Sequence, residues 1–295
     1  MQTSKNYLFN YLANVLRPMF KRQYLREDIG AAIAVAFVAI PLSLAVALAT
    51  GVAPQVALIS AVIGGILGAV FGGSRLGITG PAVAMSVLLA GVLQDFGFAG
   101  LLIVGLICGL LQISLGILKL GRIAKYIPLS LVLAFTAGIG FLLFFEQLPY
   151  AFQIAGQTNN TITQTYSNLH LYAHHVSSAG FGLAALTIAI LTIVPRFLPR
   201  AYAFFFAVLI PMTLAHVTNI SVATVGMLPH DIFHPTVIDF NLINDWPKLA
   251  LTGLEVFILA SLETLLSLSA VDLMGKGDLH NPSQELIGQG VANIG

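Results

Sequence analysis

The sequence holds one cysteine, Cys108, in 295 residues, so neither an intrachain disulfide nor a thiolate metal cluster can form. Charge is also scarce. Asp, Glu, Lys and Arg make up 8% of the chain, against about 25% in soluble domains. A soluble globule needs a polar shell, and 13 Lys+Arg with 12 Asp+Glu cannot coat one this size. The net charge of +1 excludes a strongly basic nucleic-acid binder. Aromatic residues are 9% and the apolar runs are long and unbroken, which excludes the short alternating strands of a β-barrel. What is plentiful is apolar, 57% of the chain. The composition therefore requires an all-α polytopic membrane protein whose constant partner is the lipid bilayer.

A helix needs about 20 apolar residues to cross the ~30 Å hydrocarbon layer. The runs predict spans at 29–50, 55–72, 99–118, 127–145, 180–195, 201–218 and 249–273. A shorter one lies at 81–94, counted as the third, and a ninth begins near 284. Residues 1–28 form a charged leader, expected to lie in the membrane interface as an amphipathic helix. The first span is too long and too deep behind that leader for a cleaved signal peptide. With a cytoplasmic N-terminus, Lys248 alone of the 13 Lys and Arg faces outward. That positive-inside pattern places the chain in the cell (inner) membrane, and it holds only if 81–94 is itself a membrane element.

The stretch Gly72–Ala82 carries four glycines and a proline, unsuited to a regular helix. Pro81 suits the first turn of a new helix, where its missing N–H costs nothing. A helix over 81–94 is about 20 Å long and cannot cross alone. An extended Leu76–Gly80 would supply about 16 Å more. The third span thus reads as an extended entry followed by a half-helix that starts near the midplane. Non-helical backbone at that depth must be buried in protein or line a wet cavity. The N–H groups of Ala82, Val83 and Ala84, with Gly80 and Pro81, then make an anion site at the positive end of a helix dipole.

Glu263 sits near the middle of the span 249–273, where an ionised carboxylate costs at least ~2.5 kcal/mol and must face a cavity, a partner or a proton. Thr264 is adjacent and Ser267 is one turn on. Such a group can hold a proton or a Na⁺ ion. Pro41 breaks the centre of the first span and frees a carbonyl, with Ser43 close behind. Both join the candidate substrate-binding residues.

Two other functional readings would leave their own marks in the sequence. An intramembrane enzyme would show HExxH or a nucleophile elbow, and the sequence has neither. His170, His174 and His175 lie at metal-like spacing but lack a further ligand nearby, so no metal and no cofactor are expected. An anion channel would share the broken helix without needing Glu263 to titrate.

Residues Ala39–Ala47, Gly51–Gln55, Gly72–Arg75 and Gly80–Pro81 resemble the N-terminal half of the SulP (sulfate permease) anion transporters. So do Ser261–Ser267, Asp272, Met274–Gly275, His280 and Glu285–Ile294. The resemblance covers essentially the whole chain. It implies the first seven-segment repeat of a 7+7 inverted-repeat fold plus the start of the second, with a half-helix third span. It also implies a homodimer when full-length, with core moving against gate. The stretch Pro41–Ala47 is closer to the bacterial dicarboxylate and bicarbonate carriers. Glu263 matches the proton-coupled C4-dicarboxylate branch, where the bicarbonate branch has Asp. The implied activity is proton-coupled (or Na⁺-coupled) uptake of a dicarboxylate, sulfate or bicarbonate anion. In that frame residues 29–295 are a transmembrane domain truncated in its ninth segment, without the STAS domain that usually follows. A third alternative is accordingly a remnant that does not transport by itself.

Overall fold

The computed structural model describes residues 22–74, 76–80, 82, 85–126, 128–152, 177–198, 200–220, 245–274 and 279–295. The leader ahead of Arg22, the candidate residues Pro81, Val83 and Ala84, and the histidines His170, His174 and His175 lie outside these. So do Arg75, Lys276 and most of both long outward loops.

Eight α-helices follow one another among the described residues: α1 (Arg22–Thr50), α2 (Pro54–Phe71), α3 (Ser86–Ile117), α4 (Leu129–Ala151), α5 (Ser178–Ile193), α6 (Arg200–Val217), α7 (Trp246–Met274) and α8 (Pro282–Ile294). A 3-10 segment, Leu120–Tyr126, joins α3 to α4. Among the described residues five helices are long and apolar enough to cross a membrane. At ~1.5 Å per residue the 29 residues of α1 reach about 43 Å, well beyond the hydrocarbon layer. Its helix starts at Arg22, ahead of the expected span.

Two compact units divide the chain, the first Met1–Pro41 with Ser177–Val222 and the second Leu42–Val176 with Ala223–Gly295. The boundary falls inside α1, next to Pro41, the only proline in that helix. In the first unit α5 packs on α6. Phe37 meets Phe205 edge-to-face with ring centroids 4.6 Å apart, the geometry the ring quadrupoles favour.

The second unit is built on α3. Its apolar core joins Met85, Val92, Ile103, Val104 and Cys108 to Leu249, Val256 and Phe257 of α7. The helices run parallel. Leu249 lies at Gly100, Gly253 at Ile107, and Ser261 at Gln112. The short helix α8 packs against both α2 and α3, and glycine makes the approach possible. A Cβ on Gly109 would lie 2.6 Å from the Gly290 carbonyl, and one on Gly290 2.6 Å from the Gly109 carbonyl. Side chains such as Val62, Ile66 and Leu110 point outward, the expected surface toward lipid.

Two boundaries differ from expectation. The half-helix and the fourth span follow one another as the two arms of α3, two helices that meet at a non-helical Gly97 with φ 66° and ψ −169°. Glycine takes that left-handed backbone without a steric penalty, so the turn falls there. The part before the kink, 86–96, is about 16 Å long, still too short to cross alone. Regular helix also begins later than Pro81 suggests. Ala82 is non-helical, a turn closes from Met85 N–H to Ala82 O at 3.1 Å, and α3 starts at Ser86. Packing overrides the local proline signal, because Ala82 and Met85 are drawn into the α3–α7 core.

Candidate functional site

The segment between α2 and α3 is non-helical wherever it is described, over 72–74, 76–80 and 82. Such backbone inside a membrane must find partners for its N–H and C=O groups. Here the partners can be followed one by one. Gly72 N–H donates to Gly68 O at 2.7 Å, which ends α2. Gly73 N–H and Ser74 N–H donate to Glu285 Oε2 at 2.7 and 3.1 Å. Leu76 N–H and Gly77 N–H donate to Ser74 Oγ at 3.3 and 2.9 Å. From α8 and its cap, Asn281 N–H donates to Gly73 O at 2.9 Å, and Gln284 Nε2 donates to Phe71 O at 2.7 Å.

Close packing accompanies these bonds. A Cβ on Gly288 would lie 2.5 Å from the Cα and N of Gly72. A Cβ on Gly68 would run into the Thr79 hydroxyl, so Thr79 folds back onto α2. Gly80, the next residue, is exposed, and a Cβ there would meet nothing within 4 Å. The linker is thus tied down up to Thr79 and open at Gly80.

Glu263 of α7 is half-buried, and its Oε2 is buried without a hydrogen-bond partner among the described residues. It stands between two contacts with the broken span. Ala260, three positions before it, belongs to the cluster that holds Ala82 and Met85. Leu268, five positions after it, comes within 2.6 Å of where a Gly77 Cβ would stand. Five residues of helix rise only about 7.5 Å. Glu263 therefore lies level with the passage from linker to α3.

The other candidates are placed less uniformly. Thr264 is half-buried, whereas Ser267 is exposed and no hydrogen bond joins it to Glu263 among the described residues. Ser43 is fully buried in the second unit; Pro41 is exposed and belongs to the first. Ala82 is half-buried against the core, and its carbonyl accepts the N–H of Met85 in the turn that precedes α3. No side chain of the N-cap residue Met85 closes that end.

Residues that sequence reasoning left without a role complete the site's frame. Glu285, 4% exposed, and Gln289 sit one turn apart on α8. Their signal was their i, i+4 spacing on a polar face of a short helix. Gln112, 1% exposed, accepts from Asn293 Nδ2 at 2.8 Å and reaches Ser261 Oγ at 3.5 Å, so a polar chain, buried at Gln112 and Ser261, links α8, α3 and α7. Among the described residues no group of three or more His, Cys, Asp or Glu could hold a metal ion.

A discontinuous span, backed by a helix whose mid-span carboxylate has no partner among the described residues, is the arrangement on which many secondary-transporter folds are built. The chain belongs to the Sulfate permease family, which it matches over residues 25–295. The protein "Putative sulfate transporter YvdB" of Bacillus subtilis (strain 168) is 32% identical over 240 residues, 76% of this chain and 43% of that protein. "Bicarbonate transporter BicA" of Picosynechococcus sp. (strain ATCC 27264 / PCC 7002 / PR-6) is 27% identical over 250 residues, 76% of this chain and 41% of that protein. The chain thus spans less than half the length of these curated relatives. Among solved structures, the transmembrane domain of a cyanobacterium bicarbonate transporter BicA superposes with a TM-score of 0.74 at 24% identity. The match covers 93% of this chain and 72% of that one. Murine Slc26a9, an anion transporter in the inward-facing state, superposes with a TM-score of 0.75 at 17% identity, over 100% of this chain and 54% of that one. These two likenesses concern the fold. They agree with the all-α, seven-segment-repeat architecture expected from the sequence.

Proposed function

We propose that the protein is a secondary active transporter of a small anion. The linker end at Gly80 and the first amides of α3 hold the anion, and Glu263 carries the coupling proton. The observation that carries this reading is the buried, unpartnered Oε2 of Glu263 beside the break in the third span. A carboxylate oxygen there is costly unless it meets a cavity, a cation or a proton. A proton is favoured over Na⁺, because Ser267, the hydroxyl expected to help coordinate a metal cation, is exposed.

The anion class follows from site and relatives together. Backbone amides at a helix start recognise negative charge without selecting one shape. Relatives whose names specify sulfate or bicarbonate fit such a site. The glutamate at 263, in place of aspartate, supports a C4-dicarboxylate as the third candidate. An inner-membrane location with a cytoplasmic N-terminus rests on the distribution of Lys and Arg, and a full-length homodimer on the family resemblance.

The test uses the full-length protein in liposomes with an inward proton gradient. Glu263→Gln is expected to abolish gradient-driven uptake of sulfate, bicarbonate or succinate while counterflow exchange persists. Undiminished gradient-driven uptake by the variant refutes proton coupling through Glu263. Single-channel currents in place of saturable counterflow would make the protein a channel.

A further inference from the structure

We infer that Gln289, braced by Glu285, sets the affinity of the anion site by positioning Thr79 and, through it, the open backbone at Gly80. The inference rests on the reading that this backbone binds the anion. Gln289 Nε2 carries two hydrogens and both are used, at 2.8 Å to Thr79 Oγ1 and 2.9 Å to Glu285 Oε1. The other oxygen of Glu285 accepts from Gly73 and Ser74. One helix face of α8 thereby grips the linker at both ends, at Gly73–Ser74 and at Thr79. The two side chains meet because positions i and i+4 stack on one face.

Thr79 is the last tied residue before the open one. It is wedged between α2, at Gly68, and Gln289 of α8. No atom of the described residues stands within 4 Å of where a Gly80 Cβ would be. The location of Gly80, and the direction in which the chain enters α3, therefore follow from Thr79. A binding site made of backbone has no side-chain rotamer with which to recover from a shift, and misplacement by about 1 Å can cost as much as a hundredfold. Glu285 and Gln289 are thus positioning residues, one turn apart in α8 and more than 200 positions from the backbone they hold.

The test compares Thr79→Val, Gln289→Ala, the double variant and Thr79→Ser in the full-length protein, reading saturable uptake of sulfate, bicarbonate and succinate alongside thermal unfolding. Thr79→Val keeps the branched shape and removes the hydroxyl that accepts from Gln289. Each of the first two is expected to raise KM about tenfold with kcat held within about twofold. The double variant should be no worse than Gln289→Ala alone, because that substitution already removes the bond that Thr79→Val removes. Thr79→Ser retains the hydroxyl and should return KM to that of the unsubstituted protein. A melting temperature that falls while KM stays constant makes the contact a structural brace and overturns the inference. Additive effects in the double variant overturn it too. If Gln289→Ala does not fold, the Thr79 pair decides. Absence of saturable uptake in the unsubstituted protein overturns the transporter reading and this inference with it. Saturable uptake with unchanged KM in the variants overturns the inference alone.

Discussion

Glu285 Oε2 accepts the backbone N–H of Gly73 at 2.7 Å, joining residues 212 positions apart. The bond brings α8 onto the break between α2 and α3. Its carboxylate takes two backbone donors and one amide donor.

Removing that acceptor should be expensive. Glu285→Ala leaves two linker N–H groups unpaired and is expected to cost about 2–4 kcal/mol. Glu285→Gln keeps an acceptor oxygen and should cost less. Thermal unfolding in detergent checks the order of the three proteins, and an alanine variant as stable as the parent would contradict the role assigned to the bond.

Glycine at 288 is required by contact, and glycine at 182 is not. Gly288→Ala pushes a methyl against Gly72 and is expected to destabilise by about 1–3 kcal/mol or more, since backbone must move. Gly182→Ala, inside α5 with nothing within 4 Å, is expected to stabilise by up to about 1 kcal/mol through helix propensity. The two melting temperatures should move in opposite directions.

The chain through the buried Gln112 lends itself to a double-mutant cycle. Gln112→Leu removes the acceptor of Asn293 Nδ2 and, because Asn293 is itself exposed, should cost about 1 kcal/mol. Adding Asn293→Leu removes no further bond between the two and should add little to that loss. A strictly additive pair would show that the 2.8 Å bond carries no coupling.

Lys248 Nζ meets Asp95 Oδ2 at 2.8 Å, but both side chains are about half exposed (55% and 52%). Screening by water and salt leaves little net interaction in such a pair. Asp95→Asn should leave the melting temperature unchanged, in low salt as well as high.

The break in the third span was legible because its cause is local. Glycines and a proline between Gly72 and Ala82 deny the chain a helix whatever surrounds them. Glu263 was legible for a similar reason, since a carboxylate amid apolar neighbours stands out in any order of packing. The start of α3 was misplaced because Pro81 is a permissive signal. It allows a helix to begin but does not compel it, and the core claimed Ala82 and Met85 first. Ser267 shares a helix face with Glu263 in an ideal projection, yet it is exposed, because neighbours rather than periodicity decide which part of a face is covered.

Composition and apolar run length alone determined that this chain is a helical membrane protein with one interrupted span. Lipid offers backbone groups no partners, and only helices satisfy their own. What only the tertiary structure decided is who satisfies the interruption. Glu285, Gln284 and Gln289 read in the sequence as polar residues on a short helix. Their hydrogen bonds to Gly73, Phe71 and Thr79 span more than 200 residues, and no local pattern records a contact that exists only once α8 is laid against α2.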